Sequence, residues 1–350
     1  MQSDSLQSRY RQLWLRRATI VSGLLLAIVC SLLLDVSAGP AQLGLADVFK
    51  GIIAPDSLSL RHRIILIDVR LPDALIALAV GAALGLAGIE TQTVLNNPMA
   101  SPFTLGISSF AALGASIAII VVPAVGMEVG AGLVFALPAL ALFFALLCGG
   151  LVLIFSHLTG GARESIILLG MALFFLGNAL TAAIQYVGSA EAVQQIVFWS
   201  IGNLTKAGWT ELLIVSACVG IILPFSMQHV WVMTMMRAGE AQVMSLGLNV
   251  PRIRMLVIAR ISVLSAFAVC FVGAIGFVGL IGPHIARLLL GEDHRLLVPG
   301  AAMCGALILS LASFLSKILI PGAIVPVGIL TAIIGVPVFV LLVLSRRSRL

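Results

Sequence analysis

Residues 133–155 read LVFALPALALFFALLCGGLVLIF, 23 positions without one charged side chain. An α-helix rises 1.5 Å per residue, so about 20 such residues cross a hydrocarbon core roughly 30 Å thick. A membrane-spanning strand would alternate polar and apolar residues, and this run does not. Residues 18–34, ATIVSGLLLAIVCSLLL, repeat the pattern. Working outward, ten such runs centre on residues 18–34, 72–94, 105–125, 129–156, 165–187, 209–228, 255–272, 274–290, 296–315 and 325–344. The sequence therefore predicts an all-α polytopic membrane protein with ten transmembrane helices per subunit. No linker is long and polar enough to separate one domain from another, so residues 1–350 read as a single transmembrane domain. The seventh and eighth runs are continuous, and Gly273, Gly276 and Gly279 mark the break between them.

Composition excludes most other classes. Of the 350 residues 61% are apolar and 10% are charged, where a soluble domain carries about 25% charged residues. A soluble enzyme, a disordered chain, a coiled coil and a secreted disulfide scaffold all fail on that ground. The five cysteines, Cys30, Cys148, Cys218, Cys270 and Cys304, stand singly in apolar runs, without a C-x-x-C. They read as small core residues, and neither a metal site nor a cofactor is expected.

The net charge of +6 is explained by topology, with no nucleic-acid partner required. Ten spans put both termini on one side. Arg9, Arg11, Arg16, Arg17, Arg163, Arg237, Arg252, Arg254, Arg260, Arg287, Arg295, Arg346, Arg347 and Arg349 fall there, 14 in number. Lys50, Arg61, Arg63, Arg70, Lys206 and Lys317 fall on the other side, and 14 and 6 make up the 20 basic residues. The positive-inside rule places both termini in the cytoplasm. Val36-Ser37-Ala38 could pass for a signal cleavage site. Asp35 precedes it, however, and a 17-residue apolar run exceeds the usual 7 to 15 of a signal peptide. The first span is therefore expected to be retained.

Catalytic groups are scarce. No Asp or Glu lies near the middle of a span, which argues against a proton- or sodium-coupled transporter. None of Lys50, Lys206 and Lys317 follows a glycine, so a Walker A phosphate loop is absent and any ATP hydrolysis belongs to another subunit. Gly106-Ile-Ser-Ser109 with His284 invites a serine-hydrolase reading, but a helix start with small packing residues accounts for it. Gly81-Ala-Ala-Leu-Gly85, followed by Gly88, is a face on which helices pack closely. Gly273, Gly276, Gly279 and Gly282, before Pro283, predict a broken or bent helix.

One polar stretch stands out on the inner side, residues 233–254, reading MMRAGEAQVMSLGLNVPRIR from Met235. Glu240 to Leu246 can form a short helix, Gly247 suits a left-handed stop, and Pro251 suits the first turn of the next helix. Helix, turn and helix outside the bilayer read as a docking element for a cytoplasmic partner.

From residue 60 to the C-terminus the chain resembles the permease subunits of type II ABC importers for iron-siderophore, haem and cobalamin. The resemblance rests on Val69-Arg-Leu-Pro72, the glycine face of residues 81–88, Gln92 with Asn97-Pro-Met-Ala-Ser-Pro102, and Leu105-Gly-Ile-Ser108. It continues through Gly239-Glu240 with Ser245-Leu-Gly247, GFVGLIGPHIAR at 276–287, and PVGILTAIIGVP at 326–337. The family often has Arg at the positions of Asp73 and Asn96, and usually Glu at that of Ile324.

This resemblance implies an ATP-driven importer of a metal chelate, first of all a ferric siderophore, with haem, cobalamin or a secondary transporter as alternatives. The chain would not itself be an enzyme. It would work in a bacterial inner membrane with a second permease copy, two cytoplasmic ATP-binding subunits and a periplasmic or lipoprotein substrate-binding protein. The implied translocation path takes in Asn178 and Gln185 of the fifth span, Thr331 of the tenth, and Gln194 and Gln195. The implied inner gate is Gly160, Gly161, Arg163, Glu164 and Ser165. ATPase coupling falls to Arg237, Gly239, Glu240, Ser245 and Gly247, and binding-protein docking to Arg70 and Lys317.

Overall fold

The structure, a computed structural model, describes residues 2–39, 44–124 and 131–347. The expected spans 105–125 and 129–156 meet at residues outside that description, as does Arg349. Helices follow one another as α1 (Gln2–Ser37), α2 (Leu45–Ile53), α3 (Leu60–Ile64), α4 (Leu71–Val94), α5 (Ile107–Ala124), α6 (Ala131–Leu158), α7 (Arg163–Val187) and α8 (Ala190–Ser200). Then come α9 (Trp209–Gln228), α10 (Val230–Ala238), α11 (Glu240–Ser245), α12 (Val250–Val272), α13 (Val278–Leu290), α14 (His294–Ile318) and α15 (Val327–Arg347). A π-helical turn, Ile65–Arg70, joins α3 to α4. Among the described residues, eight helical stretches are long and apolar enough to cross a membrane, and two shorter apolar ones, Val278–Leu290 and Val327–Leu341, take the eighth and tenth places. The ten-span reading and this count agree in number and order, with the eighth run shorter than expected.

The bundle is built around α4. A helix that is apolar on all sides has to be surrounded, and α4 is packed by α14, α12, α13 and α9. Lipid chains are as apolar as leucine, so helices in a bilayer associate through close van der Waals fit. The expected glycine face supplies it. A Cβ placed on Gly85 would stand 2.2 Å from the Ala301 carbonyl oxygen of α14, and one on Gly88 would stand 1.9 Å from that of Gly279 in α13. The peripheral helices α1, α6, α7 and α9 keep most of their surface outside the bundle.

The predicted break is present. Residues 273–276 carry no helix and Phe277 takes a left-handed φ of 66°, leaving α13 only 13 residues long. Non-helical backbone at membrane depth persists only where protein or a cavity surrounds it, and this segment borders a cavity described below. At Ser109 the hydroxyl donates to the Gly106 carbonyl at 2.8 Å, as a helix start should.

Two ends can be told apart. At the basic end α4 finishes, α12 begins and α10–α11 lie alongside. At the far end α1 and α14 finish and α4 begins.

Candidate functional site

Sequence-predicted residues fall into three groups. At the far end, Arg70 and Lys317 are not surface cations. Arg70 is 5% exposed and donates to the carbonyls of Val36 and Ser37 at 3.1 and 3.0 Å. Lys317 reaches the carboxylate of Asp35, itself fully buried, at 2.8 Å. The expected docking role assumed exposed side chains at span ends; both are instead engaged inside the rim. Removing one partner of a buried ion pair strands the other, at about 3–5 kcal/mol. Lys317→Ala should therefore lower thermal stability markedly, and a melting experiment in detergent showing no loss would refute this structural role.

The second group borders a cavity of about 530 Å³ between α5, α7, the break before α13 and the start of α15. Asn178 and Gln185 line it, joined by Ser108, Ser109, Thr181 and Ser200, with Phe103, Phe174 and Phe277 as aromatic walls. Asn178 donates to the Phe174 carbonyl at 2.8 Å, which fixes its rotamer. Thr331 is one helical position out of phase: it is buried, with its hydroxyl on the Gly328 carbonyl at 3.1 Å, while Gly328, Ile329 and Ala332 face the cavity. Gln194 and Gln195 are exposed on α8, outside the lining. The hydroxyls and the broken helix were legible as small residues, but only the fold shows that they share one chamber.

The third group joins two sets that the sequence kept apart. The Gly160–Ser165 turn and the α10–α11 arm enclose a cavity of about 480 Å³ with the start of α12. Glu240, first residue of α11, accepts from Arg163 at 2.6–2.7 Å through one oxygen, and Arg254 of α12 donates to that same oxygen. Arg254 also donates to the Gly161 carbonyl and, at 3.2 Å, to that of Val94 at the end of α4. Its side chain is 4% exposed, so these contacts stand in for water. Gly161 packs against Pro251 of its own chain, whereas Gly160 faces open space and Glu164 is exposed. Gly247 takes φ +78°, the expected left-handed stop, and Pro251 lies in the first turn of α12. Ser245 and Gly247 are exposed on the arm. Arg237 fastens the arm to Asn96 at 3.2 Å and to Glu292 at 3.3 Å.

Two further polar contacts escaped sequence reading. Glu90 of α4, fully buried, pairs with Arg260 of α12 at 2.8 Å. Thr93 meets the ring of buried His294 at 2.8 Å, joining α4 to α14. Glu90 lies near a span end, whereas acids carried a signal only near span centres, and a lone histidine carries no spacing signal. Among the described residues no cluster of His, Cys, Asp and Glu could hold a metal.

The sequence profile of the FecCD transport family matches residues 24–345. A probable iron chelatin transport system permease protein of Helicobacter pylori is 36% identical over 287 residues, 81% of this chain and 84% of that one. The hemin transport system permease protein HmuU of Yersinia pestis is 31% identical over 335 residues, 93% and 97% of the two chains. Among solved structures, a metal-chelate type ABC transporter in an inward-facing conformation superposes with a TM-score of 0.80 at 30% identity, over 94% of this chain and 99% of that one.

Proposed function

The chain belongs to the FecCD transport family, and from that premise we propose that it is the membrane-spanning subunit of an ATP-driven importer whose cargo is a ferric siderophore. One observation carries the reading: an uncharged, polar and aromatic chamber at membrane depth lies in the same bundle as an ionic joint between the α10–α11 arm and a glycine turn. Such walls hold a bulky chelate weakly enough to let it go. The exposed faces of α7 and α15 flank the chamber, and a second copy across them would close it into a shared path. The charge bias supports a bacterial inner membrane with both termini in the cytoplasm, where α10–α11 would meet two ATP-binding subunits. The far-end rim would receive a substrate-binding protein, with Arg70 and Lys317 shaping the rim from inside.

The deciding experiment is co-expression with its ATP-binding subunit, followed by uptake of labelled ferric siderophore, haem and cobalamin into liposomes. Siderophore uptake that requires ATP supports the proposal. Preference for haem or cobalamin replaces the cargo, and uptake driven by an ion gradient without ATP replaces the class. Within the path, a cysteine at Asn178 should react with a water-soluble thiol reagent in a cysteine-free background, while one at Thr331 should react at least tenfold more slowly. Equal labelling of the two would remove the assignment of the chamber.

A further inference from the structure

At the far end, a second small cavity of about 10 Å³ lies between the first turn of α4, the loop after α8 and the end of α14. That is close to the space one water or one ion takes up. Asp73, Asn203, Thr205, Ser313, Ser316 and Lys317 are in its wall. Asp73 is 5% exposed and forms no hydrogen bond or ion pair among the described residues. The two nearby cations are engaged elsewhere: Lys317 on Asp35 at 2.8 Å, and Arg70 on the Val36 and Ser37 carbonyls. The rim thus holds two buried carboxylates, with Lys317 in contact with Asp35 and acting on Asp73 only through its charge, and a buried carboxylate without a contacting partner costs several kcal/mol.

The remaining groups are arranged as ligands and not as donors to that carboxylate. Thr205 spends its hydroxyl proton on the Asn203 side-chain oxygen at 3.0 Å, and Ser316 spends its own on the Ser313 carbonyl at 2.7 Å. Their oxygens keep lone pairs, and hydroxyl, amide and carboxylate oxygens are the ligands hard cations prefer. We propose that this cavity binds one sodium ion, with Asp73 supplying the charge and Thr205 and Ser316 supplying oxygens. One unmatched carboxylate matches a monovalent ion, since calcium sites take six to eight oxygens and more charge. Sodium is smaller than one water, so the surrounding oxygens can close on it, whereas potassium would fill the space by itself and hold them apart. The ion would fasten α4 and α14 to the loop after α8 and to residues 324–327 leading into α15. The site is independent of the transport reading above.

Thermal unfolding of the full-length chain in nanodiscs tests this, with sodium chloride replacing choline chloride at constant ionic strength. The wild type should melt about 4 °C higher at saturating sodium, with a saturable dependence that potassium does not reproduce. Asp73→Asn should abolish the sodium shift, and Thr205→Val should weaken apparent sodium affinity about tenfold while folding normally. Should Asp73→Asn fail to fold, the Thr205→Val titration decides. An identical melting point in sodium and choline overturns the proposal. So does an equal sodium shift in either variant, a larger shift with calcium, or a melting point that follows pH alone in choline, the mark of a bound proton.

Discussion

Glu240→Gln is expected to leave the chain inserted and folded while cutting ATP-driven uptake at least tenfold. The substitution keeps size and shape but removes the charge on which Arg163 and Arg254 converge. Arg254 then keeps only the Gly161 and Val94 carbonyls. Because Arg254 is almost wholly buried, the lost pair is worth more than a surface salt bridge, which contributes 0–1 kcal/mol; about 2–3 kcal/mol is reasonable for a charge-assisted bond. That is too little to dissolve a ten-helix bundle and enough to let α11 move without the 160–165 turn. ATP hydrolysis by the partner subunit should persist and lose its response to cargo. Normal cargo stimulation and normal uptake in liposomes would show that force travels by another route. Arg163→Lys gives a milder version, since an ammonium cannot copy the two-pronged grip.

Gly88→Val is expected to have the larger effect on the fold itself. Its Cβ would fall 1.9 Å from the Gly279 carbonyl oxygen and 2.7 Å from the carbon, and both belong to backbone that cannot rotate away. Either α13 withdraws from α4 or the side chain is forced out of any allowed rotamer, at about 3 kcal/mol or more. Withdrawal of α13 also disturbs the break that borders the chamber. Size-exclusion profiles in detergent should show aggregate in place of a single peak. Gly220→Ala is the contrast, because nothing stands within 4 Å of a Cβ there. It should be neutral or stabilise α9 by up to about 1 kcal/mol. A monodisperse Gly88→Val protein would mean that α4 and α13 are not locked together.

What could be read from the chain alone divides along physical lines. Local rules held where conformation is decided locally: the stop at Gly247, the start at Pro251 and the glycine break before α13 follow from backbone preferences. The close contacts of Gly85 and Gly88 were legible as a small face, though not the partners α14 and α13 that occupy it. Long-range polar pairs were not legible. Arg70, Lys317, Arg254 and Arg260 all sit near span ends, where a basic residue ordinarily marks topology, and only the packing shows that each has been drawn inward. Thr331 falls outside the chamber's lining for a different reason. Helical periodicity fixes which residues share a face, but not which face turns toward the chamber.

The chamber has a consequence for how such a machine diversifies. Among the described residues its lining carries amides, hydroxyls, aromatic rings and bare backbone, and no ionised group. If cargo travels through it as proposed, a passage of that kind has no means of sorting visitors by charge and little means of sorting them by identity. Discrimination then has to be exercised before entry, by whatever hands the cargo over. A lineage can change its diet by exchanging the supplier while leaving the conduit almost untouched.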